Sequence, residues 1–398
     1  MAATAAVAPS GVKAMVINLG PQHPSTHGVL RVRLELEGEQ VRACEPIIGY
    51  LHTGIEKTFE DLFYQQAIVL TDRIDYVSPL NNNLCYVLAV ERLLGVEVPK
   101  RCQYIRVIFA ELSRIASHLV WLGTSAMDMG AMSPFFYCMQ QRELLLDLNE
   151  MAAGTRMNPS YLRVGGLMAD LPPGFEQKAR AFLDGFPHWL ETYRGLLDRN
   201  PIWQERLVGT ARMTLDQALD YGWTGPLLRA CGLGRDLRKT NPYSSYEDFE
   251  FDVPTETEGD VYARYKVRLR EMEESLRIVR QALDRLPQGP WHVDDRRVYP
   301  PDKLEIRQSM EALIYHFKLF SEGFMVPPGE VYAAVEGPKG ELGCFVVGDG
   351  SARPARVHVR GPSFYNLQAL PLCVQGGLLA DVVAAIGSID IVLGEVDR

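Results

Sequence analysis

Apolar and polar residues alternate near the start of the chain. Over residues 30–36 every second position is leucine or valine and the positions between them are charged, which predicts a half-buried strand ending at a turn at residues 38–39. An apolar run at residues 16–19 predicts a strand before it. The segment between them, GPQHPSTHG at residues 20–28, is therefore expected to be a loop, and loops on a rigid scaffold often carry function.

The hydrophobic period then changes to three or four residues, which is typical of helices. Five apolar residues between positions 108 and 122 fall on one helix face, and Glu111, Arg114 and His118 form a polar stripe on another. This pattern is most simply explained by a helix in the core of a bundle.

A second helical series spans residues 262–283, over six turns. Asp260 precedes it as a candidate N-cap, and prolines follow its end. Glu273 and Arg277 have the spacing and order of a stabilising ion pair along one helix. This series, too, is expected to contribute to a bundle core.

The last part of the chain is again strand-like. β-Branched runs split by glycines from residue 331 onwards predict hairpins, and an apolar stretch near the C-terminus predicts a short helix. Strand-rich parts on either side of a large helical part predict an α+β fold. The predicted regions are a disordered tail at 1–11, an N-terminal β-rich region with the loop at 12–60, a helical core at 61–325, and a C-terminal β-rich region with a terminal helix at 326–398.

Composition narrows the possible functions. The 398 residues carry a formal net charge of −9, which argues against nucleic-acid binding through a broad basic surface. No apolar run reaches the roughly 18 residues that a membrane-spanning helix needs. The first ten residues lack the basic and apolar segments of a signal peptide.

The seven cysteines are widely spaced, and no two of them form a CxxC motif. Such usage suits reduced thiols better than a disulfide framework. It also argues against an iron–sulfur cluster held on local cysteine motifs. A redox centre, if this protein handles electrons, is therefore expected outside this chain.

His23 and His27 in the loop have the i,i+4 spacing of a zinc site, but that spacing brings two rings together only on a helix. Pro24 and Gly28 interrupt any helix here, so no metal site is predicted. Phosphate-binding, dinucleotide-binding and nucleophile-elbow motifs do not occur in the sequence. The residue pattern alone leaves open whether the loop is a simple turn or a functional site.

A set of motifs, in a fixed order from about Val12 to Arg398, carries a family resemblance. The motifs are GPQHPSTHGVLR, IGYLHTGIEK, RVIFAELSRIASHL, PFFY, YLRVGG, TGPLLRACG, DLRK, SMEALIYHFK and GSIDIVLGEVDR. Together they resemble the family of the D subunit, or 49 kDa subunit, of respiratory complex I, the proton-translocating NADH–quinone oxidoreductase. The number of separate motifs makes this resemblance very specific.

The resemblance also implies the fold of the large subunit of nickel–iron hydrogenases, which is related to this family. Those enzymes hold their metal with two CxxC motifs, one near each end of the chain. Here Cys44 stands alone, and the C-terminal motif offers Asp390 and Asp397 instead. Because the thiolate ligands are missing, hydrogenase chemistry is not expected.

The resemblance assigns roles to individual residues. His27 and Tyr76 would bind one carbonyl oxygen of a quinone head group and protonate it, and Asp128 would pair with His27. These residue types suit the chemistry, because reduction creates an oxyanion that must be stabilised and protonated. Arg73 and Asn158 would lie near an iron–sulfur cluster of the adjacent subunit.

The resemblance also implies the surroundings of the chain. It would bind no cofactor itself, would take quinone as substrate, and would receive electrons from a 4Fe–4S cluster in the adjacent subunit. Its partners would be the iron–sulfur B subunit, the C and I subunits, and the membrane-embedded H subunit, with no nucleic acid. The chain would lie peripherally on the cytoplasmic side of the inner membrane.

Three positions depart from the family pattern. Many members have histidine where this chain has Asn158, many have histidine at Ile47, and some have a modified arginine at Thr53. None of these departures removes His27, Tyr76 or Asp128. Two other functions stay open: the same role in a complex fed by ferredoxin or a deazaflavin, and a non-catalytic assembly scaffold.

Overall fold

A three-stranded antiparallel sheet begins the part of the chain that the computed structural model describes, residues 14–398. Its strands, in order, are β1 (Met15–Leu19), β2 (Arg31–Glu37) and β3 (Gln40–Ile47). Alternate side chains of β2 are buried, as the sequence pattern predicts. The predicted disordered tail at 1–11 lies outside the described residues.

The helical part of the chain follows this sheet. In chain order its helices are α1 (Ile55–Asp61), α2 (Tyr64–Ile74), α3 (Pro79–Leu94), α4 (Lys100–Asp128), α5 (Met132–Ala153), α6 (Phe175–Leu197), α7 (Pro201–Leu207), α8 (Leu215–Asp220), α9 (Gly225–Ala230), α10 (Leu237–Thr240), α11 (Val261–Asp284), α12 (Lys303–Gln308) and α13 (Met310–Ser321). Between α5 and α6, the short strands β4 (Leu162–Arg163) and β5 (Gly166–Leu167) form a two-stranded sheet.

Two long helices, α4 and α11, pack against each other at the centre of the helical part. Both were predicted from their hydrophobic period, and both are confirmed. Asp260 is the N-cap of α11, since its carboxylate accepts the backbone N–H of Ala263 at 2.7 Å. The predicted ion pair within α11 is wrong, because the Glu273 carboxylate instead lies 2.6 Å from Arg194 of α6.

The C-terminal part contains a second antiparallel sheet and four short helices. The strands are β6 (Gly329–Gly337), β7 (Gly340–Gly348) and β8 (Arg356–Arg360), and the helices are α14 (Pro362–Gln368), α15 (Leu370–Val374), α16 (Leu379–Ile389) and α17 (Leu393–Asp397). The predicted hairpin is therefore confirmed as β6 and β7, joined by a two-residue turn.

The tip of this hairpin is buried against the start of α9. Gly340 has φ +138°, and a Cβ atom there would lie 2.4 Å from Oγ1 of Thr224. Only glycine permits this close approach together with this backbone conformation. The approach places the turn residue Lys339 inside the protein.

Helices and small sheets share one large hydrophobic core, which contains residues of the N-terminal sheet, the long helices and the C-terminal sheet. The architecture is α+β, as predicted. None of the helices between residues 14 and 398 combines the length and the apolar character that a membrane span requires.

Candidate functional site

The loop GPQHPSTHG uses its two histidines differently. The ring Nδ1 of His23 accepts the backbone N–H of Ser25 at 3.2 Å, and so caps a single 3₁₀ turn at Pro24–Thr26. His27 ends this turn with a left-handed backbone, φ 55°. The residue as a whole is exposed, and its ring has no hydrogen-bond partner among residues 14–398. His23 therefore shapes the loop, while His27 is available to a ligand.

Tyr76 lies just beyond the end of α2. Asp75 fixes the turn there, because its Oδ1 accepts the backbone N–H groups of Val77 at 3.1 Å and Ser78 at 3.3 Å. The half-buried phenol of Tyr76 has no hydrogen-bond partner in the described part of the chain. Burial and the Asp75 carboxylate raise the pKa of Tyr76, and the Lys339 ammonium opposes them. Tyr76 is therefore protonated near neutral pH and can donate a hydrogen bond.

Lys339, in the hairpin turn, is the buried cation of this region, with only 1% of its surface exposed. Its Nζ lies 3.0 Å from Oδ2 of Asp75, 3.0 Å from Oγ of Ser117 and 3.9 Å from Oδ2 of Asp390. Burial by itself would lower the pKa of Lys339, but the carboxylates of Asp390, Asp75 and Glu395 raise it. The ammonium therefore stays charged.

His27 and Tyr76 both lie within electrostatic reach of Lys339. Burial by the surrounding protein lowers the pKa of His27, and the Lys339 ammonium lowers it further. His27 is therefore neutral near pH 7. The fold thus brings together three groups that are far apart in sequence: an unpartnered imidazole, an unpartnered phenol and a buried ammonium.

Asp128, the last residue of α4, lies beneath the first half of the loop. Its Oδ1 accepts the hydroxyl of Ser25 at 3.3 Å. Burial raises the pKa of Asp128, and the Ser25 hydrogen bond and nearby His23 oppose the rise. Within residues 14–398 no hydrogen bond joins Asp128 to His27, so their pairing stays a prediction.

Arg73 and Asn158 lie on neighbouring segments. The exposed Arg73 donates to the carbonyl oxygen of Val69 at 2.7 Å. Asn158 has a left-handed backbone, φ 52°, and its Oδ1 is buried without a hydrogen-bond partner among the described residues. The hydroxyl of Ser160 donates to the carboxylate of Asp72, which holds the two segments together. Their proximity to a partner's cluster stays a prediction.

Ile47 and Thr53 are the two other positions that depart from the family pattern, and the segment between them is hydrogen-bonded to the C-terminal helix. Asp397 of α17 accepts the backbone N–H groups of Gly49 at 2.9 Å and Leu51 at 2.6 Å. Ile47 is half-buried at the end of β3, and Thr53 is exposed. Asp397, one of the two acids noted in the C-terminal motif, therefore anchors a loop.

Sequence reasoning missed Lys339, Asp75 and Glu395, and it noted Asp390 only as an acid of the C-terminal motif. The GPKG motif at residues 337–340 signals the turn of a hairpin, but no local signal shows that the lysine of this turn is buried. Among residues 14–398, no group of three or more His, Cys, Asp or Glu side chains is arranged to hold a metal ion.

Comparison with known proteins gives a consistent result. Residues 128–398 match the family model described as the 49 kDa subunit of respiratory-chain NADH dehydrogenase. The chain is 55% identical to the first of the numbered NADH-quinone oxidoreductase D subunits of Solibacter usitatus, over 98% of this chain and 95% of the relative. It is 57% identical to the second D subunit of Koribacter versatilis, over 97% and 96%. It is 54% identical to the D subunit of Geotalea uraniireducens, over 96% and 98%.

Proposed function

Because the chain belongs to the family of the 49 kDa subunit of respiratory-chain NADH dehydrogenase, we propose that it carries the quinone-reducing site of an NADH–quinone oxidoreductase complex, of which it is one subunit. The observation that carries this proposal is the pair of unpartnered polar groups, His27 and Tyr76, beside the buried ammonium of Lys339. Such a site offers two hydrogen-bond donors and a positive potential to one oxygen atom.

The chemistry of quinone reduction fits these groups. A quinone that accepts two electrons becomes a dianion and needs two protons, so the site must stabilise an oxyanion and supply an acid. The neutral ring of His27 donates one hydrogen bond to a carbonyl oxygen, and the Tyr76 phenol donates another and then its proton. Lys339 stabilises the negative charge that develops at the quinone and the tyrosine.

In the proposed mechanism, Asp128 pairs with His27 in the quinone-bound state. A shift of the loop that exchanges its contact with Ser25 for one with His27 raises the pKa of the histidine and lets the ring donate a proton as well. The present contacts of Asp128 support a role in holding this loop. In the proposal, Asp128 therefore links the position of the loop to the charge of His27.

Arg73 and Asn158 would lie close to a 4Fe–4S cluster of the adjacent iron–sulfur protein, and that cluster would supply the electrons. The C and I subunits and the membrane-embedded H subunit complete the surroundings, and the complex couples quinone reduction to proton translocation. The chain lies peripherally on the cytoplasmic side of the inner membrane. Exposed apolar side chains on α13, among them Met310 at 72% and Phe317 at 66% exposed, support the idea of contacts with other subunits. The proposed fold type is that of the hydrogenase large subunit.

Substitution of Tyr76 tests this function. In the assembled complex, Tyr76→Phe removes the acid but keeps the ring, and quinone reduction is expected to fall about a hundredfold. NADH oxidation with a soluble electron acceptor that bypasses the quinone site is expected to stay normal. Normal turnover with quinone would contradict the proposed role of Tyr76.

A further inference from the structure

A group of buried charges lies directly behind Tyr76. Three carboxylates, from Asp75 at the end of α2, Asp390 at the end of α16 and Glu395 in α17, surround the ammonium of Lys339. Each of the four side chains belongs to a residue that is at least nine-tenths buried. Lys339 contacts Asp75 at 3.0 Å and lies 3.9 Å from Asp390, and Glu395 is within electrostatic reach of Asp75 and Lys339.

The other cation that faces this group is Arg268 of α11, which is within electrostatic reach of Asp390. Its guanidinium stacks 4.3 Å from the ring centre of Trp121 and donates to the carbonyl oxygen of Ser388 at 2.9 Å. Arg268 also faces Glu271 of its own helix, but Glu271 is paired with Arg229 at 2.7 Å. Among the described residues, Lys339 and Arg268 thus face the three carboxylates of the group. One bound proton makes the group neutral, and burial strongly favours neutrality over an uncompensated charge.

Two acids of the group, Asp390 and Glu395, are able to hold this proton. Oδ2 of Asp390 is buried and has no hydrogen-bond partner among the described residues, as suits an oxygen that carries a proton part of the time. Burial raises the pKa of Asp390 to about 6. Burial, reinforced by the Asp75 carboxylate, raises the pKa of Glu395 to about 7, with Lys339 opposing the rise. Glu395 therefore gains and loses its proton near neutral pH.

The candidate quinone site needs a proton from such a group to restore Tyr76 after each turnover. Without a contact to Asp128, His27 is neutral near pH 7 and donates a hydrogen bond rather than a proton. Tyr76 is the acid, and once it has given up its proton it must be reloaded before the next turnover. Lys339 contacts Asp75, the residue that precedes Tyr76, and so connects the buried acids with the tyrosine.

On the basis of the proposed quinone site, we propose that Asp75, Lys339, Asp390 and Glu395 form a proton store that reloads Tyr76. The quinone would take two electrons, one after the other, through the iron–sulfur cluster that the proposed function places in the adjacent subunit. The O–H bond of Tyr76 breaks, its proton binds one quinone oxygen, and the other quinone oxygen takes a proton from solvent. The O–H bond of the Glu395 carboxylic acid then breaks, and its proton converts the tyrosine phenolate back to phenol. Solvent finally reprotonates the Glu395 carboxylate.

The test uses Glu395→Gln, Asp390→Asn and Tyr76→Phe in the assembled complex. Glutamine keeps an oxygen for the backbone N–H of Ser363, which Glu395 accepts at 2.7 Å. Glu341→Gln is the matched control, because this acid lies on the same hairpin and pairs with Arg235 at 3.1 Å, outside the store. The readouts are the pH profile of quinone turnover, its solvent isotope effect, and the carboxyl band in the infrared difference spectrum on reduction.

We expect Glu395→Gln to lower the turnover number at least about tenfold with an unchanged KM for quinone, to increase the solvent isotope effect, and to abolish the carboxyl band. Asp390→Asn is expected to lower turnover less, and Glu341→Gln to change none of the three readouts. If Tyr76→Phe lowers quinone turnover while Glu395→Gln and Asp390→Asn turn over normally, the proton store is overturned but the quinone site is retained. Normal Tyr76→Phe would overturn the quinone site itself.

If Glu395→Gln prevents assembly of the complex, Glu395→Asp tests the proton store instead, because it keeps a carboxylic acid at this position. Retained turnover with a shifted pH profile supports the store. Retained turnover with an unshifted profile and an unchanged carboxyl band would overturn it.

Discussion

The ammonium nitrogen of Lys339 lies 3.0 Å from Oδ2 of Asp75, the residue that directly precedes Tyr76. The two residues are 264 positions apart in the chain. Their contact fixes the buried hairpin tip against the end of α2. Lys339 also contributes a positive potential at the candidate quinone site. It adds to the lowering of the pKa of His27 and opposes the rise in the pKa of Tyr76.

Replacing Lys339 with methionine is expected to destabilise the protein by about 3–5 kcal/mol, because the Asp75 carboxylate is left buried without its cation. Thermal and denaturant unfolding measure this loss. Adding Asp75→Asn is expected to recover part of it, since asparagine keeps an oxygen for the N–H groups of Val77 and Ser78. Lys57→Met, at an exposed lysine, serves as control and is expected to leave stability unchanged. Equal stability of the Lys339 variant and the wild type would refute the account of this pair.

Asp128 and Ser25 provide a test of how the loop is held. If Asp128 acts by anchoring the loop through the Ser25 hydroxyl, Asp128→Asn and Ser25→Ala are both expected to raise the KM for quinone several-fold. If Asp128 also pairs with His27 in the bound state, only Asp128→Asn changes the pH profile of turnover, because it alone removes the charge that raises the pKa of His27. A normal KM in both variants would contradict a role for this contact.

Acid is expected to destabilise the helical part through Glu111. This buried carboxylate accepts hydrogen bonds from Tyr246 and Ser275, each at 2.6 Å. Burial would raise its pKa, but Arg114 and Arg238 outweigh burial and lower it to about 2. A lowered pKa contributes stability that is complete above the ordinary value of 4.5 and is lost as the pH falls towards about 2.

Denaturant unfolding between pH 7 and pH 2.5 measures this contribution. Glu111→Gln is expected to cost about 3 kcal/mol at pH 7 and to lose less stability than the wild type on acidification. Glu258→Gln, at an exposed acid, is the control. An unchanged acid profile in Glu111→Gln would show that other groups dominate the loss.

If Asn158 lies beside the partner's iron–sulfur cluster, as proposed, the potential of that cluster is expected not to depend on pH through this position. An asparagine does not titrate, so the midpoint potential of the partner's iron–sulfur cluster is expected to stay constant between pH 6 and 8. Asn158→His is expected to make that potential fall as pH rises, since the charged ring favours the reduced cluster. Histidine tolerates the left-handed backbone at this position better than most residues do. Redox titration followed by electron paramagnetic resonance distinguishes the two variants.

Much of the fold could be predicted from local pattern. The two strands around the loop, the long helix capped by Asp260 and the hairpin of β6 and β7 all follow from periodicity and turn residues. Each depends on neighbours in the sequence. The predicted Glu273–Arg277 pair failed because Arg194, on another helix, competes for Glu273.

The candidate site could be predicted only in part. His27, Tyr76 and Asp128 came from the family resemblance, since a lone tyrosine or aspartate carries no local signal. Lys339 was missed because its burial depends on a close approach between the hairpin tip and α9. Likewise, the polar stripe of α4 does not face solvent but meets Arg238, Glu271 and other partners that lie more than a hundred residues away.

A structure of the complex with quinone bound tests the central claim most directly. The account predicts that one carbonyl oxygen of the head group lies within hydrogen-bond distance, about 2.7–3.2 Å, of both a His27 ring nitrogen and the Tyr76 hydroxyl. Lys339 is predicted to remain in contact with Asp75 behind them. A head group bound with neither His27 nor Tyr76 within that distance would contradict the proposed site.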